Sequence, residues 1–444
     1  MLLQNLPAWF RLSKIPRVWL VAGGGWMGRG LQIVAQLAAV RIITDNLGIS
    51  GYSAFAVLVS LNGWLVLSDL SIATGLQNFV SEARVSGARI EDTIVTGTVL
   101  SFLATAASII ILLISGPALS TALLGFAGLT PNEALFSFWA VCLCLGASTF
   151  GSIAYRIWFA EHRGYLANLF PALATAGGTA LLWLTTRQEM SYPLTVAIIG
   201  YYLPVAVVPL VALGVRIARV RRSGCFDRQL VRPILKRGFH FWIFGILAAC
   251  VLQIDYIIIS QVLGERDVAL YSIVARLFAL VLFIYAALLA ALWPVCAEMT
   301  SRQEWDRLQR IVLRYMMIGA GIVMISGAVF FVARTYIVEL LGPTLNVSIT
   351  NTLLGLMICY TLIRVWTDTF AMILQSMNDL KILWIVVPVQ AVSSAMFQYI
   401  GATYYGINGL VFGLILCFLT TTVWALPYRF YWHVKGSAIS QKNG

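Results

Sequence analysis

Apolar runs of about 20 residues recur from one end of this 444-residue chain to the other, and they restrict its fold more than any other feature. Inside hydrocarbon every backbone amide and carbonyl must be paired within the protein, which leaves α-helices and closed β-barrels. Barrel strands alternate apolar and polar residues, whereas these runs are continuous, so the expected fold is all-α and polytopic. Composition agrees: 60% of residues are hydrophobic, 11% are charged and the mean hydropathy is +0.87, too little charge to coat a soluble domain. Twelve transmembrane helices are expected. They lie near 18–40, 52–75, 94–116, 133–157, 166–186 and 193–214, then 239–262, 268–293, 311–333, 351–374, 382–402 and 409–427.

The stretch from Arg41 to Phe55, RIITDNLGISGYSAF, is echoed from Ile257 to Tyr271, IIISQVLGERDVALY. One constant offset carries Ile42, Ile43, Leu47 and Gly48 onto Ile258, Ile259, Leu263 and Gly264, Phe55 onto Tyr271, and Glu82 onto Glu298. It also carries the polar break at Glu161 to Tyr165 onto that at Met377 to Lys381. Self-similarity at a fixed period means repeated structural units, here two lobes of six helices. The expected division is a first lobe at 1–214, a basic cytoplasmic linker at 215–238 and a second lobe at 239–444. Six spans per lobe bring both into the membrane from the same side, related by an axis along the membrane normal, with a central cavity between them.

The formal charge of +12 could suggest nucleic acid, but its placement argues otherwise. Of the 30 Lys and Arg, 21 fall on the termini and even-numbered connections, four on odd-numbered connections and five within spans. Both termini are therefore expected in the cytoplasm, with no nucleic-acid partner. The linker carries Arg216, Arg219, Arg221, Arg222, Arg228, Arg232, Lys236 and Arg237 against the single acid Asp227, as suits a segment lying on anionic lipid. None of the seven cysteines forms an outward-facing pair, and His162, His240 and His433 form no cluster with metal-ligand spacing. Neither metal nor cofactor is expected. Glycines 23, 24, 25, 28 and 30 follow no strand and precede no GK[ST], which argues against a phosphate loop; Gly24 and Gly28 have GxxxG spacing, which suits close helix packing or a bend that changes with transport state. Pro204 and Pro209 predict a bend in the sixth span.

Ionisable residues deep in a membrane are expensive, at about 2.5–3.5 kcal/mol each on insertion scales, and default to function. In the first span Gly25, Arg29, Gln32 and Gln36 fall within about 60° of one another on the helical wheel, a polar stripe suited to lining a cavity or to an interhelical hydrogen-bond seam. In the second half, Asp255 and Arg276 lie at similar depth and could meet, and Arg364 and Asp368 share one helical face at i, i+4. Asp69 suits a cap or local ion pair, and Arg156 and Arg314 suit snorkelling. The repeat duplicates none of the deep charges: Arg29 maps to Gly245, Asp255 to Ala39, Arg276 to Ser60, Arg364 to Ser148 and Asp368 to Ser152. Three arginines against two aspartates leave one excess positive charge, which an anionic group would balance.

The Arg41 to Phe55 stretch, the Trp64 to Gly87 segment WLVLSDLSIATGLQNFVSEARVSG and the Asp255 to Leu277 segment DYIIISQVLGERDVALYSIVARL resemble Wzx-type polysaccharide flippases of the multidrug/oligosaccharidyl-lipid/polysaccharide exporter superfamily. The resemblance spans nearly the whole chain. It implies a transporter without catalytic residues in a bacterial inner membrane, moving undecaprenyl-pyrophosphate-linked oligosaccharide from the cytoplasmic to the periplasmic leaflet by alternating access. Membrane lipids and other polysaccharide assembly proteins are the further partners it implies. Arginine suits phosphate oxygens, so Arg29, Arg276 and Arg364, with Gln32 and Gln36, are the expected substrate ligands. Asp255 and Asp368 are expected to balance charge or couple to protons. One alternative is a cation-coupled drug or metabolite antiporter on the same scaffold, for which a net-positive lining is a poor match. Another is a membrane-embedded polymerase or glycosyltransferase, which would need an external catalytic loop; here the outward acids Glu133, Glu189 and Glu339 are scattered over short connections.

Overall fold

A computed structural model describes residues 17–86, 89–161, 163–187, 190–220, 223–341, 348–377, 379 and 381–442. All regular secondary structure among the described residues is helical. The helices are α1 (Arg17–Ser60), α2 (Asn62–Leu65), α3 (Ile72–Ser86), α4 (Ile90–Leu124), α5 (Pro131–Gly151), α6 (Ile153–Ala160), α7 (Gly164–Thr185) and α8 (Pro193–Val220). They continue as α9 (Arg228–Leu252), α10 (Ile254–Val262), α11 (Glu265–Ser301), α12 (Trp305–Leu341), α13 (Asn351–Ser376), α14 (Lys381–Thr420) and α15 (Thr422–Lys442).

Ten runs among the described residues are long and apolar enough to cross a membrane. Two of them, Met27–Leu65 with 39 residues and Lys381–Lys435 with 55, extend about 58 and 82 Å at 1.5 Å per residue. Length alone does not divide them, since Ile90–Ala127 with 38 residues and Trp305–Leu341 with 37 are nearly as long as the first. A backbone break inside each of the two does, and two crossings apiece give twelve. Gly48 (φ 65°) interrupts α1 and Gly406 (φ 59°) interrupts α14, in a backbone region that disfavours any residue with a Cβ. At the position matching Gly48 in the repeat, Gly264 separates α10 from α11.

The chain forms two compact units: residues 1–46, 62–120 and 130–245, and residues 47–61, 121–129 and 246–444. The first passage from one unit to the other thus falls next to Gly48 and the last inside α9. Within the first unit α5 packs along α8, α8 along α7, and α6 against α3 and α7. Its core gathers Leu76, Val80, Ile94, Ile153, Ile157 and Leu213, all buried. Gly28 shows why a glycine is needed in α1: a Cβ there would stand 2.7 Å from the Asn168 carbonyl oxygen of α7. The expected close-packing role of this residue is met. α8 stays helical through Pro204 and Pro209.

In the second unit α13 packs against α11, α12, α14 and α15, and α14 against α10. Helix starts follow ordinary capping chemistry. Thr130 accepts the Glu133 amide at 3.3 Å ahead of Pro131, and Thr350 accepts the Leu353 amide at 3.2 Å. Glu133 has a second task, its Oε1 accepting the Leu194 amide at 2.9 Å at the start of α8. That acid is therefore part of the scaffold.

Candidate functional site

Asp255 stands in the first turn of α10, where the helix dipole favours a carboxylate. It is 8% exposed. Its Oδ1 accepts the Tyr256 amide at 2.9 Å, and its Oδ2 accepts the Tyr271 hydroxyl of α11. No ion pair joins it to Arg276 among the described residues; the carboxylate is satisfied by a tyrosine instead. The Tyr256 and Tyr271 rings meet edge to face at 5.4 Å. Tyr52, which belongs to the same unit, lies 3.0 Å from the Ser272 hydroxyl. Arg276 is half-buried one turn along α11 from Ser272.

On α13, Arg364 and Asp368 do form the pair expected from their spacing. Nε donates to Oδ1 at 3.2 Å and a terminal nitrogen donates to Oδ2 at 3.0 Å, two parallel bonds that fix the guanidinium plane. The other terminal nitrogen donates to the Tyr360 hydroxyl at 3.2 Å, and the guanidinium carbon stands 5.7 Å over the Phe418 ring. Arg364 is the more covered partner: its side chain is 16% exposed against 35% for Asp368. Beside them the Tyr285 hydroxyl lies 2.6 Å from that of Thr369. Asp255, Tyr271, Tyr360, Arg364, Asp368 and Tyr285 thus line α10, α11 and α13 as polar groups within otherwise apolar helices. Such an arrangement can hold and exchange protons or present charge to a ligand at its Asp368 end.

The first unit presents the α1 stripe differently. Gln32 is half-buried and donates to the Thr175 hydroxyl of α7 at 3.5 Å, while Thr179 donates to the Ala35 carbonyl at 3.0 Å. Gln32 is therefore part of an interhelical seam. Gln36 is half-buried, and Arg29 is exposed.

The Arg364–Asp368 pair was readable from the sequence, but two further features were not. One is an interruption after α2. Residues 66–71 are not helical, and Leu70 and Ser71 both adopt φ of 54° without being glycine. Neighbouring side chains bond to the carbonyls of this turn as well: Thr149 donates to Leu65 at 3.2 Å, Ser108 to Ser68 at 2.8 Å and Trp242 to Leu67 at 3.1 Å. Asp69, 2% exposed, accepts the Ala73 amide at 2.8 Å and so caps α3, the first of its two expected roles. The only local hint was the Ser-Asp-Leu-Ser sequence at 68–71, a capping composition inside an apolar run. The other missed feature is the tyrosine set. Its clue lay in the repeat, where Asp255 and Tyr271 stand against Ala39 and Phe55: one half has a carboxylate and a hydroxyl where the other has neither.

At the polar breaks each unit closes an ion pair. Arg216 pairs with Glu161, while Arg429 and His433 reach Asp379 at 2.5 and 2.6 Å. These pairs hold the connection after the fourth span of each lobe against its last helix. No group of three His, Cys, Asp or Glu among the described residues could hold a metal ion.

Known proteins place this geometry in context. A family model described as MatE matches residues 243–400. A Yersinia pseudotuberculosis protein named for O-antigen export is 36% identical over 421 residues, 94% of this chain and 96% of its own. A Salmonella typhi protein named as an O-antigen transporter is 33% identical over 96% of this chain and 98% of its own. Among solved structures, an inward-facing multidrug resistance MATE transporter of the MOP superfamily gives a TM-score of 0.75 at 14% identity, covering 93% of this chain and 96% of its own. The lipid II flippase MurJ, in an inward closed conformation, gives 0.70 at 14% identity over 95% and 91%. At such identities the two structures speak for the fold alone.

Proposed function

The chain belongs to the family of O-antigen transporters, multi-pass membrane proteins that are not enzymes, and from this we propose that it flips a lipid-linked polysaccharide repeat unit across its membrane. The lipid carrier in this reading is undecaprenyl pyrophosphate, moved from the cytoplasmic to the periplasmic leaflet of a bacterial inner membrane, with both termini cytoplasmic. Likeness over nearly the full length to proteins named for O-antigen export carries the reading. Chemistry supports it. The pyrophosphate and sugars meet a high barrier in hydrocarbon, while the lipid tail can stay in the bilayer.

Arg29, exposed on α1, is assigned to the pyrophosphate or to acidic sugars, with Gln36 of the same helix as a further polar contact, while Gln32 stays with its seam partner Thr175; Arg276 on α11 is assigned an anionic group of the substrate in its own right. Arg364 is assigned a conditional role: held by Asp368, it meets an anion only if that carboxylate is protonated or displaced. Exchange of Asp368 for a substrate phosphate would then link binding to the charge state of Asp255 and Asp368. This gives the two aspartates a coupling role in place of simple neutralisation.

The test is leaflet exposure of a lipid-pyrophosphate-linked oligosaccharide in proteoliposomes, with and without the protein. Protein-dependent exposure on the far side is expected, falling about tenfold or more in Arg29→Ala at unchanged protein level. No exposure with several glycans, together with transport of lipophilic cations, would replace this reading by that of an antiporter.

A further inference from the structure

The first half of α9 carries two contrasting faces. One is packed: Ile234 and Gly238 are buried, and Arg237 reaches Glu82 at 2.8 Å with its guanidinium 4.2 Å over the Phe79 ring. On the opposite side Arg228, Arg232, Lys236 and His240 follow one another at i, i+4 steps through an arc of about 120°, with Phe239 inside it and Leu235 at its edge. Arg228, Arg232 and Lys236 are exposed, and no ion pair engages them among the described residues. The nearest acid in sequence, Asp227, accepts the Gln229 amide at 2.8 Å and so serves the start of the helix. Leu235 is 37% exposed and Phe239 50%, and Phe226 just ahead of the helix is also exposed.

A face turned to water needs no exposed phenylalanine, and a face turned to acyl chains tolerates no row of unneutralised cations. Both together fit a ligand with an anionic head and an apolar chain. Successive cations rise about 6 Å along the helix, so the row spans about 12 Å, enough for more than one phosphate. We infer that this face of α9 is a binding site for anionic phospholipid, with phosphate against Arg228, Arg232 and Lys236 and acyl chain along Leu235 and Phe239. The site is separate from the residues assigned to transport and does not depend on that assignment.

The full-length protein, purified in neutral detergent, is titrated with phosphatidylglycerol and with phosphatidylcholine of the same chains, and bound lipid is counted by native mass spectrometry. Wild type is expected to prefer phosphatidylglycerol. Arg228→Gln/Arg232→Gln/Lys236→Gln should weaken that lipid by on the order of 100-fold, about fivefold per charge, and leave phosphatidylcholine unchanged. A control removing Arg302, Arg307 and Arg310 should change it by less than about twofold, with both variants checked for an unchanged melting temperature. Phe239→Ser keeps the charges and should weaken phosphatidylglycerol about tenfold while leaving inorganic phosphate competition as it is. Undiminished phosphatidylglycerol binding in the α9 variant overturns the site. So does equal loss in the control, which would mean diffuse charge. Insensitivity to Phe239→Ser would overturn the lipid assignment in favour of a bare phosphate site.

Discussion

At Asp255 the buried carboxylate depends on one hydroxyl and one amide, from Tyr271 and Tyr256. Removing either member of the Asp255 and Tyr271 pair strands the other in an apolar helix, at about 1–3 kcal/mol. Replacing both restores the apolar combination that the repeat carries at Ala39 and Phe55. Asp255→Ala/Tyr271→Phe should therefore be more stable in detergent melts than the sum of its single variants predicts, with a coupling of about 1–2 kcal/mol. Strict additivity would show that the hydrogen bond contributes nothing. Asp379, between spans, offers a pH test. Hydrogen bonding to the Arg429 guanidinium, aided by His433 against some burial, holds its carboxyl down at about 2. A lowered carboxyl stabilises the fold above its ordinary value near 4 and loses that contribution as pH falls through about 2. Asp379→Asn should cost about 1–2 kcal/mol at neutral pH, and its melting deficit should vanish as pH falls toward 2. A deficit independent of pH would assign the cost to packing.

Along the helices, position relative to a neighbour decides what a residue tolerates. Gly28 and Gly30 are two apart in α1, yet a Cβ at Gly28 meets the Asn168 carbonyl at 2.7 Å and a Cβ at Gly30 meets nothing within 4 Å. Gly28→Ala should force α1 from α7, lowering stability by about 1–3 kcal/mol, whereas Gly30→Ala should raise it by about 0.5–1 kcal/mol through helix propensity. Thermal melts of the two variants check this, and equal effects would remove the close approach from the account. Element ends were mostly legible: the caps at Thr130 and Thr350 and the breaks at Gly48 and Gly264 carry recognisable residues. The break at 66–71 was not, because no glycine or proline marks it. Its cost is met by Thr149, Ser108 and Trp242, residues far away in sequence whose donors converge only after packing.

Across the whole molecule, charge bias gives an orientation that can be measured. Cys225, between α8 and α9, is exposed and its thiol is free. With the other six cysteines replaced, it should resist a membrane-impermeant maleimide in intact cells and react in inverted vesicles. The reverse pattern would place this connection, and with it the expected cytoplasmic termini, on the other side. The class of fold, the twelve crossings, the twofold repeat and the identity of the costly charges are legible in the order of residues alone. Those follow from hydropathy and periodicity, which act residue by residue along the chain. It took packing to give Asp255 the Tyr271 hydroxyl, to draw Gln32 into a seam with Thr175, and to set Glu133 and Asp69 at helix ends. A buried polar group takes whichever partner packing brings within about 3 Å, and similar depth in a span does not reveal which helical faces meet.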